Sequence, residues 1–239
     1  MVNIVGIGGG KIMTILEVKN LTKIYKKGNT TVKALDNISF NVDKGEFIAI
    51  IGKSGSGKST LMHLLGGVDT PTSGSIVVDG NKIYELDESE MAIFRRRNIG
   101  IIYQFYNLIP SLNVEENIML PRLLDNRKPD NEKLESILEI IRLVKRKKHL
   151  PSELSGGEEQ RVSVGRALIN DPAIILADEP TGNLDSKSSD EIVELLKLAN
   201  KRYNQTLIVI THDEKIALQA DRIITINDGK ILRDEVIKS

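Results

Sequence analysis

Gly52-Lys53-Ser54-Gly55-Ser56-Gly57-Lys58-Ser59-Thr60 decides how the rest of the chain is read. Glycine, four residues, then glycine, lysine and serine is the spacing of a phosphate-cradling loop. Before it, Phe47-Ile48-Ala49-Ile50-Ile51 is a short apolar run rich in β-formers and reads as a buried strand. After it, Leu61, Leu64 and Leu65 recur at helical spacing until Gly66-Gly67 stops the helix. In this setting the glycines let successive N–H groups turn toward one point, and the helix aims its positive end at the same place. Lys58 is expected to reach the β- and γ-phosphates of a nucleotide, and the Ser59 hydroxyl to ligate Mg²⁺. A plain Gly/Ser-rich connector is the weaker reading of a full motif in this context.

The chain has 239 residues, enough for one large domain or two subdomains sharing a core. It is 40% hydrophobic and 28% charged with zero formal net charge, so bulk electrostatics give no reason to expect a nucleic-acid partner. It contains no cysteine, which excludes disulfides and thiolate metal sites. No apolar run approaches the roughly 20 residues that span a bilayer; a membrane role would need a span from another chain. The start lacks the basic leader of a signal peptide, and its Gly6-Ile7-Gly8-Gly9-Gly10 run has neither a long strand before it nor a helix after it. Residues 1–13 are therefore expected to form a flexible tail.

From Ile15 to Val42 the pattern is strand-like, with Lys26-Lys27-Gly28-Asn29-Thr30 as a hairpin link. Ile76-Val77-Val78 before Asp79-Gly80-Asn81 is a second hairpin signal. Together they predict a small antiparallel sheet beside the phosphate-loop core. Asp87 with Glu90 predicts a capped helix through Phe94, and Ile99 to Tyr103 a strand running into Gln104. Asn113 with Glu116 could cap a short helix, after which Leu134, Ile137, Leu138, Ile141 and Val144 make one apolar helical face. The run Lys145-Arg146-Lys147-Lys148 reads as cations complementing that helix's C-terminus, in preference to a partner-binding patch. Residues 105–165 thus form a mainly helical insertion. The core resumes with Ala173 to Ala177; Ser188 and Glu191 are expected to cap a helix that turns Ile192, Leu195, Leu196 and Ala199 inward. Leu207 to Ile210 is another buried strand, and Arg222 to Leu232 a terminal hairpin around Asn227-Asp228-Gly229. Strands alternating with helices argue for a parallel α/β sheet.

Four further places carry chemistry. Strand Ala173–Ala177 ends in Asp178-Glu179, where Asp178 could hold the Mg²⁺ shell and Glu179 could polarise an attacking water as general base. His212 follows a buried strand, where its imidazole could contact the γ-phosphate. Gln104, likewise placed, offers an amide oxygen to Mg²⁺ or water. In Leu154-Ser155-Gly156-Gly157-Glu158-Glu159-Gln160-Arg161, a hydroxyl and two glycines stand directly before a helix, a second N-terminus able to receive an anion.

Taken together, these motifs resemble the ATP-binding cassette family over essentially residues 14–235. Gly52–Thr60 matches its Walker A motif, Ala173–Glu179 its Walker B, and Leu154–Gln160 its LSGGQ-type signature, with Glu158 where Gln is commonest. Gln104 matches the Q-loop, Asn183-Leu184-Asp185 the D-loop and His212 the switch histidine; Tyr25 matches the aromatic that stacks on adenine, with Val32 completing that pocket. The resemblance implies an α/β fold: a P-loop NTPase (RecA-like) parallel-sheet core with an N-terminal antiparallel β subdomain and a helical insertion. Residues 14–239 would be one nucleotide-binding domain. Residues expected at ATP are Tyr25, Val32, Gly52 to Thr60, Ser155, Gly156, Gly157 and Asp185, with Ser59, Gln104 and Asp178 toward Mg²⁺ and Glu179, Gln104 and His212 catalytic.

The family pattern implies a head-to-tail homodimer with ATP at the interface, driving a separate membrane permease from the cytoplasmic face of the cell membrane. Stretches Arg95–Gly100, Tyr103–Pro110, Glu116–Ile118 and Asp178–Ser186 resemble the lipoprotein-release, macrolide-export and antimicrobial-peptide-resistance branch, whose permeases have few spans and a large extracytoplasmic domain. A signalling or mechanical module acting on a membrane partner without transport is the alternative. A soluble cassette of DNA repair or translation would show tandem cassettes or a coiled-coil insertion.

Overall fold

The structure, a computed structural model, describes residues 13–28 and 30–237. The expected tail therefore lies outside the described residues, apart from Met13. Two long strands, β1 (Thr14–Lys27) and β2 (Thr30–Asp43), pair antiparallel. The first core strand β3 (Phe47–Ile51) leads through the phosphate loop into helix α1 (Lys58–Leu65). Strands β4 (Ser73–Val78) and β5 (Asn81–Lys82) return to β1, giving an antiparallel sheet ordered β2-β1-β4-β5.

Helix α2 (Glu88–Asn98) begins with the Asp87/Glu90 capping box and feeds β6 (Ile99–Ile102). Helices α3 (Val114–Leu124), α4 (Asn131–Ile140) and α5 (Gly156–Leu168) follow, before β7 (Ile174–Asp178). Helix α6 (Ser186–Tyr203), β8 (Thr206–Ile210), the short α7 (Glu214–Ala217), β9 (Arg222–Asn227) and β10 (Lys230–Val236) complete the order.

The second sheet runs β10-β9-β3-β8-β7-β6; its strands β9 to β6 are parallel and β10 is an antiparallel edge. Its apolar runs are split by the two-residue period of a strand. Ile48, Ile50, Ile174, Leu176, Ile208 and Ile210 pack with α1 and the antiparallel sheet. Phe47, Ala49, Ile175, Ala177, Leu207 and Val209 pack with α3 to α6. Both faces are covered, which is why these strands read as unbroken hydrophobic runs. Burying each Ile, Leu or Val contributes roughly 1.5–3 kcal/mol, offset by the ordering of the chain.

Three local expectations are corrected. Helix α6 starts before Ser188: Asp185 is its N-cap and accepts from the Ser188 N–H at 3.0 Å, while Glu191 instead pairs with Arg161 at 2.6 Å. Asp185-x-x-Ser188 offered an equally good cap one turn earlier. The basic run does not end a helix. Helix α4 stops at Ile140, Arg142 takes φ 58°, and the run starts on a 3₁₀ turn over Val144–Arg146 and continues past it. Its cations bind acids of other segments: Arg146 faces Glu158 at 3.5 Å, Lys147 faces Glu135 at 2.5 Å, and Lys148 pairs with Glu115. Val144 consequently leaves the apolar face, and Leu143 is buried in its stead.

Candidate nucleotide-binding site

The parallel strands β3, β8, β7 and β6 lie side by side, so their C-terminal ends bring four separate sequence motifs together. Crevices beyond the carboxyl ends of such strands are where α/β sheets take ligands. Here the cleft has a volume of about 700 Å³. It is lined by the phosphate loop after β3, Gln104 beyond β6, Asp178 and Glu179 at β7, and His212 after β8.

Of the seven α-helices among the described residues, α1 alone has no side-chain cap at its N-terminus. Its first N–H groups are thus left free for an anion, with the helix dipole behind them. Gly57 makes the entry possible: its φ is 105°, and a Cβ there would stand 2.4 Å from the Ala34 carbonyl oxygen. Lys58 is buried and donates to the carbonyls of Gly52 at 2.8 Å and Lys53 at 2.9 Å. Those two bonds hold the ammonium over the loop. Ser56 is also buried, and its Oγ has no hydrogen-bond partner among the described residues.

Burial pushes the Asp178 carboxyl above its ordinary range, and a hydrogen bond with Ser59 works in the opposite sense. Glu179 sits just past the strand in a left-handed conformation, φ 45°, with its N–H donating to Ile210 O at 2.9 Å. A non-glycine residue in this region is held there by its surroundings and re-aims the side chain. His212 Nδ1 lies 2.8 Å from Glu179 Oε2, a separation at which a protonated Nδ1 donates to the carboxylate. Gln104 donates through Nε2 to Asn183 Oδ1 at 3.3 Å, and Asn183 Nδ2 donates back to the Gln104 carbonyl at 3.1 Å.

The cleft thus gathers Val32, Gly52, Ser54, Gly55, Gly57, Lys58, Ser59, Thr60, Gln104, Asp178, Glu179 and His212. Lys53 and Ser56 belong to the loop without lining the cleft, and Tyr25 stands next to it, opposite Val32 in the β1–β2 register. Ser155, Gly156, Gly157 and Asp185 are not brought into it. Ser155 instead caps α5: it accepts from the Glu158 N–H at 3.3 Å, and its own N–H donates to Glu158 Oε2 at 2.9 Å. The S-x-x-E spacing was a capping box in plain view. Gly157 lets α6 approach, since a Cβ there would stand 2.8 Å from Ser188 Oγ.

Sequence reasoning gave no role to three residues. Lys33 on β2 and Asp228 in the β9–β10 turn also line the cleft, on segments that read only as hairpins. Gln160 is fully buried and donates to Pro180 O at 2.8 Å and Tyr103 O at 3.3 Å. It therefore ties α5 to the segments beside Glu179 and Gln104. Its place within the Ser155 motif was legible, its partners were not.

The oxygens suit Mg²⁺, a hard cation that keeps several waters and takes few protein ligands. Among the described residues no group of three or more His, Asp or Glu could hold a metal by itself, so Ser59 and Asp178 would act together with phosphate oxygens.

A family model described as ABC transporter matches residues 35–182. The macrolide export ATP-binding/permease protein MacB of Bdellovibrio bacteriovorus is 44% identical over 225 residues, covering 94% of this chain and 34% of that protein. Its namesake in Hyphomonas neptunium is 46% identical over 225 residues, covering 92% and 34%. The chain thus spans about a third of the length of these curated relatives. Among solved structures, the dimeric post-hydrolysis state of the ATP-binding cassette MJ0796 bound to ADP and phosphate aligns with TM-score 0.86 at 40% identity, over 94% of this chain and 99% of that one. A second dimeric structure of MJ0796, a bacterial ABC transporter cassette, gives 0.86 at 41% identity, with the same coverage of both chains.

Proposed function

The chain belongs to the ATP-binding cassette transporter family, and from that premise we propose that it binds and hydrolyses ATP to drive a membrane permease of the macrolide-export kind. The observation that carries this reading is the meeting of Lys58, Ser59, Gln104, Asp178, Glu179 and His212 in one cleft beside an uncapped helix N-terminus. In this mechanism Lys58 exchanges its bonds to the Gly52 and Lys53 carbonyls for phosphate oxygens. Glu179 polarises the attacking water, and His212 orients Glu179 through the bond between them. Mg²⁺, held by Ser59, Asp178 and Gln104, would offset phosphate charge when bound.

Ser155, Gly156 and Gly157 lie outside the cleft of their own chain, and solved relatives of this cassette are dimers. Both facts support a head-to-tail homodimer in which these residues of one copy meet the nucleotide of the other. Tyr25 and Val32 would take the adenine. Among the described residues no helix is long and apolar enough to cross a membrane, so the permease supplies the span. A groove of about 340 Å³ between α2, α3 and α5, with Ile99, Leu120 and Ala167 in its wall and Arg95, Arg96 and Arg166 around it, supports permease docking. Arg166 donates to Tyr106 O and Asn107 O, so this wall is continuous with the segment after Gln104.

Replacing Glu179 by Gln tests the core of the proposal. Removing a general base lowers turnover by about 10²–10⁴-fold, while the phosphate loop remains and an ATP-bound dimer accumulates. Steady-state phosphate release at the wild-type rate would refute the role given to Glu179.

A further inference from the structure

Tyr25 is 41% exposed on β1, where a phenol ring is free to change rotamer unless something holds it. Asp69, 44 positions away, does so: the Tyr25 hydroxyl donates to Asp69 Oδ2 at 2.7 Å. The other carboxylate oxygen, Oδ1, accepts from Lys23 Nζ at 2.6 Å and from the Thr70 N–H at 2.7 Å. Lys23 Nζ also donates to Thr70 O at 2.6 Å and stands over the Tyr25 ring, 4.8 Å from its centroid. Behind this, the Tyr84 hydroxyl bonds to Asp69 O at 2.7 Å and Leu64 O at 2.6 Å. Partial burial works against ionisation of Asp69, but the Lys23, Tyr25 and Thr70 bonds outweigh it and hold the carboxyl below its usual range.

The ring is therefore pinned at its hydroxyl end and covered on one face by an ammonium, leaving the other face for a planar partner. Its anchor sits just past the end of α1, the helix whose first turn offers phosphate donors. We propose that Asp69 is a positioning residue for the nucleobase, locking Tyr25 as a preformed stacking platform at a set distance from the phosphate loop. This rests on the reading that the cleft binds ATP with Tyr25 against adenine. Preorganising the ring removes the rotamer entropy that stacking would otherwise have to overcome.

The test compares affinities for ATP and for inorganic tripolyphosphate, which lacks a base, by calorimetry on the full chain with Mg²⁺ chelated so that ATP is not turned over. Tyr25→Phe keeps the ring and deletes the hydroxyl; Asp69→Asn keeps the shape and removes the charge. Each should weaken ATP binding by about 3- to 10-fold, the range expected for losing one hydrogen bond, with tripolyphosphate binding unchanged. The double variant should be no weaker than either single one. Tyr25→Phe remains informative should Asp69→Asn fold poorly. Additive losses, or equal losses toward tripolyphosphate, would overturn the inference. So would Asp69→Asn and Tyr25→Phe both binding ATP like the wild type while Tyr25→Ala binds it weakly; that result would spare the adenine reading. If Tyr25→Ala binds ATP normally, the adenine platform itself falls, and the role of Asp69 with it.

Discussion

At the residue scale, Asp178 carries opposing demands. Placed within strand β7 and half-buried, it resists ionisation, yet a carboxylate is what a cation would need there. Its folded-state pKa is raised, so the folded protein binds the proton more tightly than the unfolded chain. Stability is therefore lost as pH rises from the unfolded pKa through the folded one, and at neutral pH the ionised side chain is a burden without its ligand. Asp178→Asn should raise the melting temperature of the nucleotide-free protein by about 2–4 °C, the shift worth ~1 kcal/mol in a chain of this size, while ATPase activity is lost. The difference from wild type should shrink as pH falls toward 4. Differential scanning calorimetry across pH checks this; a lowered melting temperature at pH 7 would show that the site does not strain the carboxylate.

At the scale of elements, α5 shows how one helix can serve two purposes. Its N-terminus is closed by Ser155 and Glu158, whose carboxyl is held below its usual range chiefly by the Ser155 N–H. One turn later Gln160 reaches two carbonyls that flank Gln104 and Glu179. Gln160→Leu would leave both carbonyls without that donor, one of them at a buried bond, costing about 1–3 kcal/mol for an unmet group. The expected loss of about 2 kcal/mol corresponds to a fall of roughly 4–8 °C in melting temperature. Turnover should drop more than the apparent affinity for ATP, because the groups displaced are those around the water and not the phosphate loop. Unchanged melting together with unchanged turnover would remove Gln160 from this role.

For the whole molecule, the prediction concerns a second copy. Within one chain Ser155, Gly156 and Gly157 stay apart from the cleft, and the proposed site takes them from a second copy. Ser155→Arg should leave ATP affinity of the monomer within about two-fold of wild type but prevent ATP-dependent dimerisation in the Glu179→Gln background. Sedimentation or light scattering with and without ATP measures this. A double variant that still dimerises would contradict the shared site.

The alternation of strands and helices, the phosphate loop with its flanking strand and helix, and the capping boxes of α2 and α3 were legible because each is a property of neighbouring residues. Hydrophobic period and cap spacing act over a few positions, and so they survive reading in one dimension. The errors came where two local solutions competed, as with Asp185 against Ser188 for the cap of α6, or where distant acids claimed the cations of Lys145 to Lys148. Only the tertiary structure decided which motifs meet. Strand order set His212 against Glu179, 33 positions apart, and Gln104 against Asn183, 79 apart. It also put Asp69 under Tyr25 and Gln160 between two loops, and it kept Ser155 away from the cleft. Hydrogen bonds of this kind depend on separation in space, and the chain sets that separation only once its parallel sheet has closed.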